Sequence, residues 1–167
     1  GKSTVASLLR LYGYTIISAD EVAHKLLKDN SLEIEKMFGT SERKKLREII
    51  FNNKQKREQL EQFLHPKIKK FIMNESEKLE QYNVPYFLDI PLFFEKNNYP
   101  DFDKVVVVYT PKNIQIQRLA KRDNISESEA IKLIKLQIDI EDKKKRATYV
   151  LDNSEDLKHL QKEVEKF

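Results

Sequence analysis

The run Val105-Val106-Val107-Val108 is the feature that most restricts how this chain can fold. All four residues are β-branched and no polar residue alternates with them, which is typical of a strand that is covered on both faces. Helices cover both faces of a sheet when its strands are parallel and are joined by helical crossovers. The run therefore predicts an α/β protein with a parallel sheet.

Three further apolar runs predict strands, and the spacing of apolar residues predicts helices between them. We expect strands at 14–17, 86–90, 105–109 and 149–151. We expect helices at 4–11, 20–28, 43–51, 68–79, 114–122, 127–136 and 157–164. Because strands and helices alternate, the order predicts right-handed crossovers and a sheet that lies between helices.

Composition excludes several classes of protein. The 167 residues include no Cys, which excludes a disulfide scaffold, a Cys-based zinc site and a Cys nucleophile. There are 31 Lys and Arg against 27 Asp and Glu, and the net charge of +4 is small for a dedicated nucleic-acid binder. No apolar run approaches the roughly 18 residues that span a bilayer. We therefore expect a cytoplasmic protein that binds neither nucleic acid nor a membrane.

The sequence Gly1-Lys2-Ser3-Thr4 matches the second half of the phosphate-binding loop G-x-x-x-x-G-K-[ST]. In such a loop the glycine lets the backbone approach a phosphate, and the lysine places a cation against the β- and γ-oxygens. The serine hydroxyl suits Mg²⁺, and the N–H groups at the helix start face the anion. The tetrapeptide also fits the start of an ordinary amphipathic helix. The strands that follow have the spacing of nucleotide kinases, which favours the phosphate loop.

The spacing of the predicted strands suggests three parts. One crossover needs only one helix, so the long strand-free stretch 21–83 predicts a helical insertion that binds the acceptor. A second strand-free stretch, 113–146, is dense in charge and predicts a helical lid. The nucleotide-binding core is then expected to comprise 1–20, 84–112 and 147–167.

Asp20 follows the strand predicted at 14–17, at the sheet edge where open α/β proteins bind ligands. A hydroxyl acceptor gains from a carboxylate that takes its proton, whereas a phosphate acceptor is already ionised. Asp20 as a catalytic base would therefore favour transfer to an alcohol. The alternative is that Asp20 caps the helix predicted at 20–28, which is the commoner role for this spacing, and the two roles can coexist.

Asp89 and His65 are further candidates for the acceptor side. Asp89 lies at the end of a predicted strand, where a carboxylate can hold Mg²⁺ through water or orient an acceptor. A turn Asp before Pro91 is an equally good interpretation. His65 can contact an acceptor, but a histidine that precedes a proline, here Pro66, more often closes a turn.

Arg118 and Arg122 are four residues apart, which places them on one face of a predicted helix. Guanidinium groups make planar, multidentate contacts with phosphate oxygens, and a charged helical segment can close over a nucleotide and exclude water. The alternative is a solvated face on which these arginines pair with nearby acidic residues such as Asp123. Given the phosphate loop, we expect a lid.

Several further motifs make the chain resemble the dephospho-coenzyme A kinase family, P-loop kinases of the nucleoside-monophosphate-kinase type. The first motif is shared by many NTPases, whereas the aspartate motif, the His-Pro pair and the Asp-x-Pro-Leu-x-x-Glu run together are specific. The resemblance extends over essentially the whole chain. The matching segments are Gly1 to Ala6, Ser18 to His24, Arg43 to Leu46 with Phe51, Leu64 to Pro66, Asp89 to Glu95, Gln117 to Asp123, and Asp152 to Ser154.

The resemblance implies a three-layer α/β/α P-loop NTPase fold and an ATP- and Mg²⁺-dependent kinase. This family transfers the ATP γ-phosphoryl group to the ribose 3′-hydroxyl of dephospho-coenzyme A, the last step of coenzyme A synthesis. The resemblance implies that ATP phosphates are bound by Gly1, Lys2, Ser3 and Thr4, with Lys2 also catalytic and Ser3 on Mg²⁺. Asp20 would be the base and would contact the acceptor together with Arg43, His65 and Asp89. Arg118 and a catalytic Arg122 would act in the lid, and Asn153 would contact the adenine.

The sequence departs from the family pattern at several positions. Ser18 stands where the family has the first Asp of an Asp-Ala-Asp triplet, and Glu155 stands where Gly is common. The upstream half of the phosphate loop is absent before Gly1, so we expect the chain to be a fragment. The connection between Gly39 and Thr40 is shorter than the family turn, and we expect residues to be missing there too.

Three other functions stay open on the sequence. The chain can be a kinase for another acceptor such as a nucleoside monophosphate, a basic helical nucleic-acid-binding module, or a catalytically silent P-loop domain. The mixed signs of its charges and the buried strand argue against the nucleic-acid-binding module. The sequence does not determine the oligomeric state.

Overall fold

A computed structural model describes residues 1–166 as a mixed α/β protein. The strands are β1 (Thr15–Ser18), β2 (Tyr86–Asp89), β3 (Val106–Tyr109) and β4 (Tyr149–Asp152). β1 pairs with β2 and β3 with β4, and both pairings are parallel. The predicted α/β class with parallel strands is confirmed. Within the described range, the strands form two sheets of two strands each.

The helices are numbered in chain order. They are α1 (Lys2–Leu11), α2 (Ala19–Asp29), α3 (Ser31–Phe38), α4 (Arg43–Asn52), α5 (Lys54–Gln81), α6 (Phe93–Lys96), α7 (Lys112–Asp123), α8 (Glu127–Ile134), α9 (Ile140–Arg146) and α10 (Leu157–Glu165). None of these helices is long and apolar enough to cross a membrane. The chain divides into two compact units, one made of residues 1–13 with the segment from Leu92 onward, the other of residues 14–91.

In the unit of residues 14–91, the sheet of β1 and β2 fixes which residues share an edge. The register places Ser18 opposite Asp89, at the carboxyl ends of the two strands. Tyr14 and Phe87 meet edge to face, with ring centroids 5.4 Å apart. Because parallel strands end at the same edge, the segment after β1 and the end of β2 lie side by side.

The helices of this unit share one apolar core, and α2 and α4 both pack against α5. Its buried side chains are Ile34 and Phe38 from α3, Leu46 from α4, and Leu60 and Leu64 from α5. On α3 and on α5 the two residues are four apart, so each pair lies on one helix face. Burial of each such side chain stabilises the fold by about 1.5–3 kcal/mol.

Pro66 lies inside α5, which runs without interruption from Lys54 to Gln81. The expectation that His65 closes a turn before this proline is therefore wrong. Pro66 has no N–H, so the carbonyl of Gln62 loses its usual partner four residues later. The buried residues Leu60 and Leu64 anchor the preceding turns of the helix in the core. This packing outweighs the local preference of proline for a helix boundary.

In the other unit, α10 packs against both β4 and α1, and α9 packs against β3. The buried face of α1 is formed by Val5, Leu8 and Leu9, and that of α10 by Leu160 and Val164. Helix α7 packs against α8, and a capping box at Ser126 starts α8. The first turn of α1 is thereby fixed to the unit that contains β3 and β4.

The valine run forms β3, but its burial is lower than predicted. Val107 is buried, whereas Val106 and Val108 are only half-buried. Within residues 1–166, the sheet that contains β3 has just two strands, so β3 is paired along one edge. A short strand with one neighbour leaves side chains near its other edge partly exposed, which accounts for the difference.

Candidate functional site

The predicted phosphate loop leads directly into α1. The helix begins at Lys2 after Gly1, and its first turn contains no acidic residue and no side-chain cap. The first N–H groups of a helix have no intrahelical acceptor, and the helix dipole places partial positive charge there. Lys2, Ser3 and Thr4 are exposed in this turn. The start of α1 therefore provides N–H donors, a hydroxyl pair and an ammonium group for an anion.

Gly1 lies in close contact with the ends of β3 and β4. A Cβ atom built on Gly1 would overlap the side-chain amide of Asn153 and would lie 3.2 Å from Cγ1 of Val108. Any larger residue would therefore displace Asn153. Glycine allows the start of α1 to approach the carboxyl ends of these strands, which is the ligand-binding edge of open α/β sheets.

The main chain at Asn153 is held by several hydrogen bonds. Its N–H donates to the carbonyl oxygen of Tyr109 at 2.8 Å, and its own carbonyl accepts from Oγ1 of Thr110 at 3.2 Å. Nη1 of Arg118 donates to the same carbonyl at 2.6 Å, and Nη2 donates to the carbonyl of Glu155 at 2.9 Å. Arg118, predicted as a lid residue, therefore fixes the loop that follows β4.

Arg122 lies one turn further along α7 and is largely exposed. Its Nε donates to Oδ1 of Asp123 at 2.7 Å, and Nη2 donates to Oδ2 at 3.0 Å. These hydrogen bonds hold the pKa of the Asp123 carboxyl below its usual range. This is the pairing that the solvated-face alternative predicts. Ion pairs exposed to solvent contribute little, so another anion can replace Asp123 at small cost.

Gly1, Arg118 and Arg122 line a cavity of about 360 Å³ in this unit. The guanidinium groups of Arg118 and Arg122 line this cavity, and the ammonium-bearing Lys2 directly follows Gly1. These three cations create a positive potential at the start of α1, and such a potential attracts a polyanionic ligand. The other lining residues are Thr110, Lys112, Gln115, Leu119, Ile134, Gln137, Ile138, Asp139, Ile140, Lys143 and Asn153.

In the unit of residues 14–91, Asp20 is the second residue of α2 and its side chain is exposed. The N-cap is Ser18, whose side chain accepts a hydrogen bond from the N–H of Glu21 at 3.4 Å. The interpretation of Asp20 as the helix cap is therefore wrong. Ser18, the residue that departs from the family triplet, takes the capping role, and the Asp20 carboxylate lies in the first turn, where the helix dipole favours a negative charge.

Asp89 is the half-buried last residue of β2 and precedes the turn at Pro91 and Leu92. Its register partner is Ser18, the residue directly before α2. The sheet therefore places Asp89 and the segment from Ser18 to Asp20 at the same edge. The two strand ends predicted from the sequence therefore lie next to each other, as candidate residues of one site should.

Arg43, the first residue of α4, contacts α2 through a single histidine. Its Nη2 lies 2.7 Å from Nε2 of His24. A guanidinium has only donors, so Nε2 accepts and the ring proton of His24 is on Nδ1. His24 is four residues after Asp20 and hence on the same helix face. Sequence reasoning did not assign His24 a role, because its spacing from Asp20 shows a shared helix face but not the contact with Arg43 on another helix.

His65 is exposed on α5, the helix against which α2 packs. The sequence-predicted acceptor residues are thus distributed over four elements of one unit. Asp20 is on α2, Arg43 on α4, His65 on α5 and Asp89 on β2.

A family model described as dephospho-CoA kinase matches residues 1–159 of the chain. The dephospho-CoA kinase of Sulfurimonas denitrificans is 48% identical, with 100% of this chain and 86% of that protein covered. The dephospho-CoA kinase of Helicobacter pylori strain J99 is 43% identical, with 100% and 90% covered.

Solved structures show the same similarity. The structure of dephospho-CoA kinase from Campylobacter jejuni superposes with a TM-score of 0.80 at 38% identity, covering 99% of this chain and 88% of that one. The structure of TT1252 from Thermus thermophilus superposes with a TM-score of 0.78 at 31% identity, covering 99% and 89%. The fold is therefore shared with both structures over nearly the whole chain.

Proposed function

This chain belongs to the dephospho-CoA kinase family, and we propose that it transfers the γ-phosphoryl group of ATP to the ribose 3′-hydroxyl of dephospho-coenzyme A. Members of this family phosphorylate dephospho-CoA with ATP in the final step of coenzyme A biosynthesis. Transfer to the 3′-hydroxyl yields coenzyme A and ADP. We infer that the reaction takes place in the cytoplasm, where both substrates are available.

We also infer a three-layer P-loop NTPase fold with a division of labour along the chain. Residues 1–20, 84–112 and 147–167 would form the nucleotide-binding core, residues 21–83 the acceptor-binding insertion and residues 113–146 the lid. Three features support this division. The strands are parallel, the start of α1 lies beside the carboxyl end of β4, and both strand-free stretches are helical.

The observation that carries the proposal is the positively charged cavity at the uncapped start of α1. A triphosphate there would receive hydrogen bonds from the main-chain N–H groups of Lys2, Ser3 and Thr4, and Lys2 would neutralise the β- and γ-oxygens. Gly1 allows the phosphates to approach the backbone, and Asn153, packed against Gly1, would contact the adenine. Arg118 would position Asn153 through its hydrogen bonds to the loop.

Magnesium fits the same end of α1 with few protein ligands. The exposed hydroxyl of Ser3 is an oxygen donor of the kind that Mg²⁺ prefers, and the ion usually takes its other ligands from phosphates and water. No group of three or more His, Asp or Glu residues in the described part of the chain could hold a metal ion by itself. When bound, Mg²⁺ would neutralise charge on the β- and γ-phosphates.

On the acceptor side, Asp20 would accept the proton of the ribose 3′-hydroxyl as the oxygen attacks the γ-phosphorus. The new bond joins the 3′-oxygen to this phosphorus, and the bond from the γ-phosphorus to the β,γ-bridging oxygen breaks. ADP leaves with the bridging oxygen. Arg122 would exchange Asp123 for the transferring phosphoryl oxygens, and Arg43, His65 and Asp89 would hold the acceptor.

The test is the change Asp20→Asn, with Asp29→Asn on the same helix as the matched control. A general base contributes roughly 10²–10⁴-fold, so we expect kcat for ADP formation with dephospho-CoA to fall by at least about 100-fold. Ser18 still caps α2, so the fold and the affinity for ATP should be retained. Asp29, which pairs with Lys25 at the end of α2, should be replaceable without loss of activity.

A coupled assay of Mg²⁺-dependent ADP release measures this directly. The same assay with nucleoside monophosphates in place of dephospho-CoA tests the acceptor. An Asp20→Asn enzyme with near wild-type kcat would refute the assigned base, and faster turnover of a nucleoside monophosphate would refute the assigned substrate.

A further inference from the structure

Lys143 of α9 and Glu95 of α6 form an ion pair that is mostly buried. Nζ of Lys143 lies 2.7 Å from Oε1 of Glu95, and the two side chains are only 17% and 16% exposed. The same carboxylate oxygen accepts a hydrogen bond from the N–H of Ile138 at 3.1 Å. A second acceptor, Oε1 of Gln137, lies 3.4 Å from Nζ of Lys143.

This ion pair lies at the wall of the cavity described above. Lys143, Gln137 and Ile138 line the cavity together with Gly1 and Arg118. An ammonium group has three N–H donors, of which Glu95 and Gln137 take two. The third is available to a ligand in the cavity. A lysine whose side chain is largely covered is normally held by an anionic partner, which Glu95 provides here.

Lys143 begins the basic run Lys143 to Arg146, and its neighbouring lysines are placed differently. Nζ of Lys144 lies 4.2 Å above the ring of Tyr109, and Lys145 is paired with Asp142 on the exposed face of α9. Among the described residues of this run, Lys143 is the one that lines the cavity. Sequence reasoning treated this run only as part of the charge of the lid. The structure distinguishes Lys143 from the rest of the run, because it lines the cavity and is paired with Glu95.

Glu95 has the properties of a residue that fixes Lys143 in place. By itself, burial raises the pKa of the Glu95 carboxyl. Hydrogen bonds from Lys143 and from main-chain N–H groups outweigh that effect and hold the pKa below its usual range. Glu95 is therefore ionised at neutral pH. It belongs to α6, and through Ile138 it connects this helix to the 137–143 wall of the cavity.

We propose that Lys143 binds the phosphate groups of the nucleotide as a further cation of the site, and that Glu95 is the residue that positions it. This proposal rests on the proposed function, because it requires the triphosphate to occupy this cavity. Lys143 would contact the phosphates from α9, whereas Arg118 and Arg122 would contact them from α7.

The experiment measures the dissociation constants of ATP and of dephospho-CoA by calorimetry for Lys143→Met, Glu95→Gln and their double variant. Hydrogen bonds to charged groups contribute enough that we expect ATP binding to weaken about tenfold or more in Lys143→Met. The affinity for dephospho-CoA should stay unchanged. Lys145→Met is the matched control on the exposed face of α9 and should bind ATP normally.

The positioning role of Glu95 has its own signature. Glu95→Gln should weaken ATP binding severalfold, and it should have no further effect in the Lys143→Met background, because the lysine that it positions is already lost. Additive effects of the two changes would overturn the positioning role. Thermal unfolding of each variant verifies that it is folded, and Lys143→Gln, which removes the charge but keeps a polar end, replaces Lys143→Met if the latter does not fold.

Lys2→Met separates this inference from the function on which it rests. If Lys2→Met weakens ATP binding and Lys143→Met does not, the inference about Lys143 is wrong and the phosphate site stands. If neither change affects ATP binding, the phosphate site itself is wrong. An equal loss of ATP and dephospho-CoA binding in Lys143→Met would show a structural role only, and would also overturn the inference.

Discussion

Nη1 of Arg118 donates a 2.6 Å hydrogen bond to the main-chain oxygen of Asn153. Together with the bond from Nη2 to the carbonyl of Glu155, it ties α7 to the loop after β4. Asn153 in turn packs against Gly1 at the start of α1. Arg118 can therefore influence a nucleotide through the loop that it holds, in addition to any direct contact with phosphate.

Replacement of Arg118 by lysine keeps the charge but removes the fork that reaches two carbonyls. We expect Arg118→Lys to weaken ATP binding by about tenfold, since hydrogen bonds to charged groups contribute about 1.5–3 kcal/mol each and lysine can retain one of the two. Titration with ATP, followed by calorimetry, measures the effect. Gln117→Ala, an exposed change on the same helix, is the control. An unaltered affinity in Arg118→Lys would show that the fork has no role.

The contact between His24 and Arg43 predicts an effect confined to the acceptor. We expect His24→Ala to raise the KM for dephospho-CoA severalfold and to leave the KM for ATP unchanged, because Arg43 loses the acceptor that orients it. His24→Gln offers a carbonyl oxygen as a replacement acceptor and should recover most of the loss. Asp29→Asn, at the end of α2 where Asp29 pairs with Lys25, is the control. An equal rise in both KM values would contradict a role limited to Arg43.

The ion pair of Glu95 and Lys143 predicts a pH dependence of folding stability. The pKa of Glu95 is lower in the folded protein than in the unfolded chain, so the unfolded chain binds more protons as the carboxyl titrates. The stabilisation is present above the ordinary glutamate pKa of about 4.3 and is lost as the pH falls through the lower folded value. Urea unfolding at a series of pH values between neutrality and this range measures the slope.

Glu95→Gln should flatten this acid part of the stability profile. The control is Glu58→Gln on α5, since Glu58 is paired with Lys54 on the surface at 3.8 Å and such pairs contribute little. Profiles for Glu95→Gln and wild type that run parallel down to acid pH would show that the pairing does not stabilise the folded state.

The sequence predicted the strands well because each is a short apolar run with clear boundaries. The run of valines became β3, and the run that ends in Asp89 became β2. It did not predict α3 or the first half of α5, where charged residues dilute the apolar spacing. Ile34 and Leu60 become core residues through packing between helices, and Pro66 hides the continuity of α5. Both features depend on packing between helices, which the local spacing of apolar residues does not predict.

The candidate site divides in the same way. The helix start after Gly1 and the strand end before Asp20 follow from motifs that are contiguous in sequence. The capping of α2 was predicted for Asp20, but Ser18 has the shorter side chain at the position with extended backbone, and it accepts the hydrogen bond. The contact of His24 with Arg43 joins two helices, and no spacing within one element reveals it.

The central claim is that the start of α1 binds the terminal phosphates of ATP. A crystal structure with a non-hydrolysable ATP analogue and Mg²⁺ tests it most directly. We predict that the β- and γ-phosphates lie within hydrogen-bond distance of Nζ of Lys2 and of the main-chain N–H groups of the first turn of α1. Terminal phosphates bound away from Lys2 and Ser3 would contradict the account.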